Sequence, residues 1–273
     1  MSDEEQTIYV WLPQESASSA PTNAVAPVTD TAIVVDGASY VTLSNLSFTD
    51  LTYFADGYWD GPAQQPSDAA VRINHATSVR VEASNFLASL GGYGVAVGNA
   101  SVDCAVTGCV FDYPGQGGVI AFGFDADNTT CSAGCASGTN KQPQRLTVSF
   151  CVMADLGQTL VHVAGVGLRS ASNCRVAHNR VTRCPRYALQ ADSFYLVQNS
   201  RSNVFEFNVL AETNTLTTDT GAIEMLGSGN PNAINWWTNN TIRFNNISDT
   251  VSQLCFLPFM YFFFCLCVSC NLE

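Results

Sequence analysis

The sequence predicts an all-β chain wound as a single right-handed parallel solenoid of about seven rungs. Three observations point there. Seven short segments repeat one pattern, a small or amide-bearing residue recurs at one place in it, and a second apolar strand follows most repeats. The segments are VTLSNLSF, VRVEASNF, CAVTGCVF, LTVSFCVM, CRVAHNRV, NVFEFNVL and NTIRFNNI. Each closes on an apolar residue: Phe48, Phe86, Phe111, Met153, Val181, Leu210 and Ile247. Five positions earlier stand Leu43, Val81, Val106, Val148, Val176, Phe205 and Ile242, all apolar. Two positions earlier stand Leu46, Ser84, Cys109, Cys151, Asn179, Asn208 and Asn245. The closing residues are 38, 25, 42, 28, 29 and 37 positions apart, so a short unit carries insertions of variable length.

Apolar residues alternating at period two mark short strands with one face inward. A fixed Ser, Cys or Asn between two such strands marks a tight turn whose side chains stack from rung to rung. Stacked Asn amides bond one another and the turn backbone, satisfying polar groups that burial would leave unpaired. The strands that follow are YGVAV, GGVIAF, TLVHVAG, YALQAD and GAIEML. Strand, turn, strand, loop, strand with variable loops is a parallel solenoid. A β-sandwich gives no reason for a ladder at a fixed position.

In chain order, residues 1–30 read as a β-rich lead-in that caps the first coil, residues 31–250 as the solenoid, and residues 251–273 as an apolar tail. The start, MSDEEQTIYVWLPQ, has no basic and apolar stretch of the secretory kind, so the chain as given carries no signal peptide. Five N-x-S/T sequons, at Asn45, Asn99, Asn128, Asn239 and Asn246, lean towards an extracellular protein. Cys104, Cys109, Cys151 and Cys174 fall at repeat positions and read as small buried wall residues rather than a disulfide framework. Cys131 and Cys135 in CSAGC fit a loop disulfide or half a metal site, but no His or second Cys pair at zinc spacing accompanies them.

The tail breaks the composition. Its apolar run, residues 254–268, is shorter than the ~20 residues a spanning helix needs, and Pro258 lies inside it, so no membrane span is expected. Val251-Ser252 can be encoded as GTG-AGT, a common intron start, and a run rich in Phe, Cys and Leu is what a T-rich intron yields when translated. The tail therefore reads as intron read-through, and the chain as truncated at its C-terminal end.

Composition narrows the function. The 273 residues carry 23 Asp plus Glu against 11 Lys plus Arg, a formal net charge of −12, with no excess positive charge to neutralise phosphates, so no nucleic-acid partner is expected. At 47% hydrophobic and 12% charged, the chain is a compact domain, expected to be a monomer, rather than a disordered acidic one.

The run GGYGVAVGNASVDCAVTGCVFDYPGQGGVIAFG resembles the right-handed β-helix proteins of the pectate-lyase-like superfamily, as does TIYVWLP followed by VTDTAIVVDGASYVTLSNLSFTD. HNRVTRCPRYALQADSF, then NVFEFNVLAETNTLTTDTGAIEML, is similar to β-helical glycoside hydrolases that include fucosidases and xylanases. The resemblance spans roughly residues 7–250. It implies a glycan partner, a groove along one stacked sheet and two carboxylates acting as acid and base or nucleophile.

Reading Val119, Val161, Leu189 and Ile223 as inward places Ile120, His162, Gln190 and Glu224 in one outward column, with Asp219 of DTGAI at the mouth of its last strand. Asp219 matches the family's motif, and Glu224 stands where the family often has an aromatic residue. The candidate catalytic residues are therefore Asp219, Glu224 and His162, with Gln190, Arg186, Trp236 and Trp237 to hold sugar. The family's second catalytic Asp is expected about forty residues downstream, where the Phe/Cys tail stands instead. No cofactor is expected.

Two other readings remain open. Arg169, Arg175, Arg180, Arg183 and Arg186 fall within 18 residues, and arginine pairs well with uronate carboxylates, as a polysaccharide lyase or epimerase requires. Such enzymes often hold Ca²⁺ with several carboxylates, and no tight Asp cluster stands in the sequence: Asp125 and Asp127 lie in an insertion. A binding or structural solenoid without catalysis is the third, because fold does not dictate function.

Overall fold

The structure, a computed structural model, describes residues 28–52, 69–88, 90–98, 100–123, 142–192, 200–217, 220–226, 239–250 and 264–265. Among them the chain makes seven rungs of three strands each. The first rung is β1 (Ile33–Asp36), β2 (Thr42–Ser44) and β3 (Ser47–Phe48). The second is β4 (Ala69–Asn74), β5 (Arg80–Glu82) and β6 (Asn85–Phe86), and the third β7 (Tyr93–Val97), β8 (Ala105–Thr107) and β9 (Val110–Asp112). The fourth is β10 (Val119–Phe122), β11 (Thr147–Ser149) and β12 (Val152–Ala154). The fifth is β13 (Ala164–Arg169), β14 (Arg175–Ala177) and β15 (Arg180–Thr182). The sixth is β16 (Tyr187–Asp192), β17 (Val204–Glu206) and β18 (Val209–Ala211), and the seventh β19 (Ile223–Leu226), β20 (Thr241–Arg243) and β21 (Asn246–Ser248). A two-residue strand, β22 (Phe264–Cys265), pairs antiparallel with β19.

Stacking the rungs makes three sheets. Sheet one takes the first strand of each rung and β22, sheet two the second strands, and sheet three the third strands. Every neighbouring pair except β19–β22 is parallel. The fold is a parallel β-helix. None of the described residues is helical, and no helix among them is long and apolar enough to cross a membrane.

Both apolar columns read from the sequence are in register. Leu43, Val81, Val106, Val148, Val176, Phe205 and Ile242 pair in order across sheet two. Phe48, Phe86, Phe111, Met153, Val181, Leu210 and Ile247 do so across sheet three. Both feed one core, which the first sheet closes with Val71, Val95, Val119, Val166, Leu189 and Ile223. Large residues on sheet three face small ones on sheet one. A Cβ on Gly94 would run into the Phe111 ring, one on Gly118 would stand 2.7 Å from Met153 Sδ, and one on Gly165 would stand 2.6 Å from Val181 Cγ1. Close packing of this kind leaves no room for even one added carbon.

The turn between sheets two and three holds the amide ladder. Asn208 Oδ1 accepts from the backbone N–H and the side-chain amide of Asn179, both at 3.0 Å. Its own amide donates to Val176 O and to Asn245 Oδ1, at 3.0 and 2.9 Å. Asn179 serves Cys151 N and Val148 O in the same way. In earlier rungs Cys151 and Cys109 thiols replace the amide, donating to Val106 O and Val81 O. A second ladder, which the sequence pattern did not single out, stands before sheet two. There Asn203 and Asn240 accept from Cys174 N and Asn203 N and donate to Ala171 O and Ser200 O. Cys104 and Cys174 belong to this column, one residue ahead of the strands the sequence placed them in. Cys104, Cys109, Cys151, Cys174 and Cys184 are free and buried, as wall residues should be, and burial pushes the Cys174 thiol up to about 12.

Replacing Asn208 by Ala leaves the Asn179 N–H, the Asn179 amide and Val176 O without their buried partners. We expect unfolding stability to fall by roughly 2–4 kcal/mol, whereas Asn246→Ala, on an exposed position of the adjoining strand, shifts it by less than about 0.5 kcal/mol. Urea titration of both variants checks the contrast, and equal effects would contradict the ladder's role.

Candidate functional site

The candidate site is on the outer face of sheet one. Register places Val34, Arg72, Ala96, Ile120, Gly167, Gln190 and Glu224 in one row across that face. The sequence reading had this column right at Ile120, Gln190 and Glu224, and wrong in the fifth rung. There the row holds Gly167, and Val166 points inward, not Val161. TLVHVAG alternates like a strand, but β13 starts at Ala164, where Gly165 lets the chain pass close under Val181. His162 therefore lies in the connection just before β13, and Val161 is exposed.

Among the described residues much of this face is buried. Over rungs two to four, the half-buried Arg72 aside, it is apolar and buried: Ala69, Tyr93, Ala96, Ile120 and Phe122 form a cluster of their own with Val163 from the connection before β13, and Leu160 packs against it. Over rungs five to seven it turns polar while staying covered. Gln190 is 3% exposed and Glu224 9%, so Glu224 is a buried carboxylate rather than a solvated strand residue. Gln190 Nε2 donates to Glu224 Oε2 at 2.9 Å, which satisfies part of the cost of burying that group.

Tyr187, which the sequence reading missed, is the centre of the cluster. Its hydroxyl is 3.1 Å from His162 Nε2, and it shares a hydrogen bond with Glu224. The Arg186 guanidinium sits over its ring, 4.8 Å from the centroid. Tyr187 was missed for a backbone reason. Ala188 and Leu189 both donate to Ala222 O and both enter the core, so β16 carries two successive inward residues. That irregularity lets Tyr187 and Gln190, three apart, share the outer face, which strict alternation forbids.

Burial pushes the Tyr187 hydroxyl above the ordinary phenol range, and nearby Glu224 adds to this against the opposing pull of Arg186. Burial also pushes His162 down from 6.5 to about 3, helped by the positive charges of Arg186 and Arg169. The pair is thus a neutral imidazole against an intact phenol at neutral pH. His162 and Arg186 form the less buried edge of the cluster, and Arg169 is buried at the end of β13. Ahead of β19, Thr220 donates its hydroxyl to Asn214 Oδ1 at 2.8 Å, and the Asn214 amide donates to Thr220 O at 2.9 Å, anchoring the strand that carries Glu224.

Of the residues expected to act, the structure brings together His162, Arg186, Gln190 and Glu224. Asp219, Trp236 and Trp237 lie outside the described residues, as do Asp125, Asp127, Cys131 and Cys135. The five-arginine cluster is dispersed around one rung and its turns. Arg169 and Arg186 serve this site, Arg175 pairs with Glu206, Arg183 pairs with Asp155, and Arg180 stands on sheet three. Among the described residues no three His, Cys, Asp or Glu side chains gather as a metal site.

No protein-family profile matches the chain, and no curated protein matches it. It is similar in structure to an alginate lyase from Paenibacillus sp. str. FPU-7, at 10% identity and a TM-score of 0.43, over 82% of this chain and 97% of that one.

The depressed His162 value has a consequence for stability. A folded pKa of about 3 against 6.5 means that the unfolded chain binds the proton first, so the contribution is whole above pH 6.5 and is lost as pH falls towards 3. His162→Gln removes it. Urea midpoints taken at about pH 7 and about pH 4 should fall further in the native protein than in the variant; an equal fall would contradict the assignment.

Proposed function

We propose that this protein is a carbohydrate-active β-helix that cleaves a uronate-containing polysaccharide by β-elimination on the outer face of sheet one. The observation that carries the reading is the 3.1 Å contact between His162 Nε2 and the Tyr187 hydroxyl beside two arginines. Arg169 and Arg186 supply the positive charge that a uronate carboxylate needs, which makes the proton on the neighbouring ring carbon easier to remove. His162, neutral at working pH, accepts that proton. The electron pair forms a carbon–carbon double bond and expels the glycosidic oxygen, which takes its proton from Tyr187. The raised Tyr187 value keeps the phenol protonated at working pH, and Glu224, held by Gln190, orients it. The sequons, exposed at Asn45, Asn239 and Asn246, favour an extracellular setting for such work.

A second reading is glycoside hydrolysis, with Glu224 as the buried acid and Asp219 as its partner. It is favoured by one feature: Glu224 is a carboxyl group withdrawn from solvent in the outer row, one of the two carboxyl groups such a reaction needs.

The two are separated by product. Alginate, polygalacturonate, xylan and fucosylated glycans are incubated with the full chain, following both reducing ends and the ultraviolet absorbance of unsaturated uronate. Elimination predicts both signals on a uronate polymer, with kcat at least ~10²-fold lower in Tyr187→Phe. Reducing ends without absorbance, abolished by Glu224→Gln, would replace this reading by hydrolysis. No product from any polymer would leave a binding solenoid.

A further inference from the structure

The corner between sheets two and three carries a row of rings. Phe150, His178, Phe207 and Phe244 occupy the same turn position in rungs four to seven, all in the left-handed region, with φ of 56°, 58°, 55° and 56°. Successive ring centroids are 5.0, 5.1 and 5.0 Å apart, with planes within 3°, 3° and 18°. Bulky residues seldom adopt this backbone. Asn45 and Gly108 hold the same position in rungs one and three, so the turn itself does not ask for rings.

In such a stack the ring faces cover one another and the edges meet solvent. Phe150, Phe207 and Phe244 are 62%, 44% and 68% exposed. Two residues further along each rung, the outward row of sheet three reads Val152, Arg180 and Val209 in register. Five of the eleven large apolar side chains exposed among the described residues therefore lie in one strip: Phe150, Val152, Phe207, Val209 and Phe244. A scatter of lone apolar residues needs no explanation; a strip does.

The strip is positive in a chain whose formal net charge is −12. Arg180 makes no ion pair among the described residues. Arg175 and Arg243 share one carboxylate, Glu206, at 2.7 and 2.6 Å, which leaves one positive charge over. The Arg243 guanidinium stands 5.8 Å from the Phe244 ring, and the His178 imidazole sits inside the stack. Ring edges carry the positive end of the aromatic quadrupole, so they too favour oxygen.

We propose that this corner is a second glycan-binding surface that holds a polyuronate chain along the stack. It rests on the reading of the protein as acting on uronate polymers, and it lies on a different face from the Tyr187 cluster. Carboxylates of the polymer meet Arg180 and the Arg175–Arg243 pair, while its apolar C–H surfaces rest on Val152, Val209 and the ring edges. The rings recur at the rung spacing and so can track an extended chain that also reaches Arg180 and the Arg175–Arg243 pair; a small anion gains nothing from that periodicity.

Isothermal titration calorimetry of the full chain tests this, with galacturonate and mannuronate oligomers, neutral xylo-oligomers and polyglutamate as probes. The native protein and Tyr187→Phe should bind the acidic sugars alike and more weakly in high salt. Arg180→Ser, on the exposed surface, should lose roughly tenfold in affinity with an unchanged Tm. Phe207→Ser, whose fold is checked by circular dichroism, should also lose affinity. Full affinity in Arg180→Ser, equal binding of the neutral oligomers, tighter binding of polyglutamate, or no uronate binding by Tyr187→Phe would each overturn the proposal. None of those results bears on turnover, so the elimination reading stands or falls on its own assay.

Discussion

Parallel strands that meet only through backbone bonds would tolerate a slip of one residue, and such a slip turns every side chain to the other face. In this solenoid the slip is blocked by buried amides at the turns. Asn208 can bond Asn179 N and Val176 O together only when the two rungs stand in one register, and Asn203 imposes the same condition before sheet two. The amides also satisfy backbone groups that no strand ladder reaches, at the very bends where the chain leaves one sheet for the next. Two such columns, one at each end of sheet two, make the second sheet the rigid spine of the later rungs.

Everything on sheet one inherits that register. Because Leu189 and Ile223 are locked inward, Gln190 and Glu224 are forced onto one outer row within hydrogen-bonding distance. Because Gly94, Gly118 and Gly165 leave space beneath them, sheet three can present Phe111, Met153 and Val181 without pushing the sheets apart. The two adjacent inward residues of β16 then bring Tyr187 round to the same side as Gln190. A cluster of phenol, imidazole, carboxylate, amide and guanidinium groups results from chain positions that strict alternation would have scattered.

The columns at Val81 and Phe86 and the turn amides were legible in the sequence because stacking repeats the same chemistry at the same phase in every rung. The site was less so. His162 sits in a segment whose alternation imitates a strand, and only the glycine spacing of β13 distinguishes the two. Tyr187 was hidden by a local break in alternation that no composition reveals, although the bases beside it, Arg169 and Arg186, were picked out as a cluster. The burial of Glu224 was also invisible, since alternation tells outward from inward and not covered from open. The ring stack at Phe150, His178 and Phe207 was within reach: these residues directly precede the ladder positions, and aligning that column would have found them.

The dependence of the fold on stacked side-chain amides is tested most directly by native-state hydrogen exchange on the full chain. The backbone N–H groups of Cys151, Cys174 and Asn179 donate to Asn179, Asn203 and Asn208 side chains rather than to another strand. If those amides lock the register, these three turn positions exchange only through global unfolding, with the same free energy and denaturant dependence as Val148 and Val176 in the adjoining strands. Exchange through small local openings, at rates typical of exposed turns, would show that the strands hold the register and the ladders merely follow.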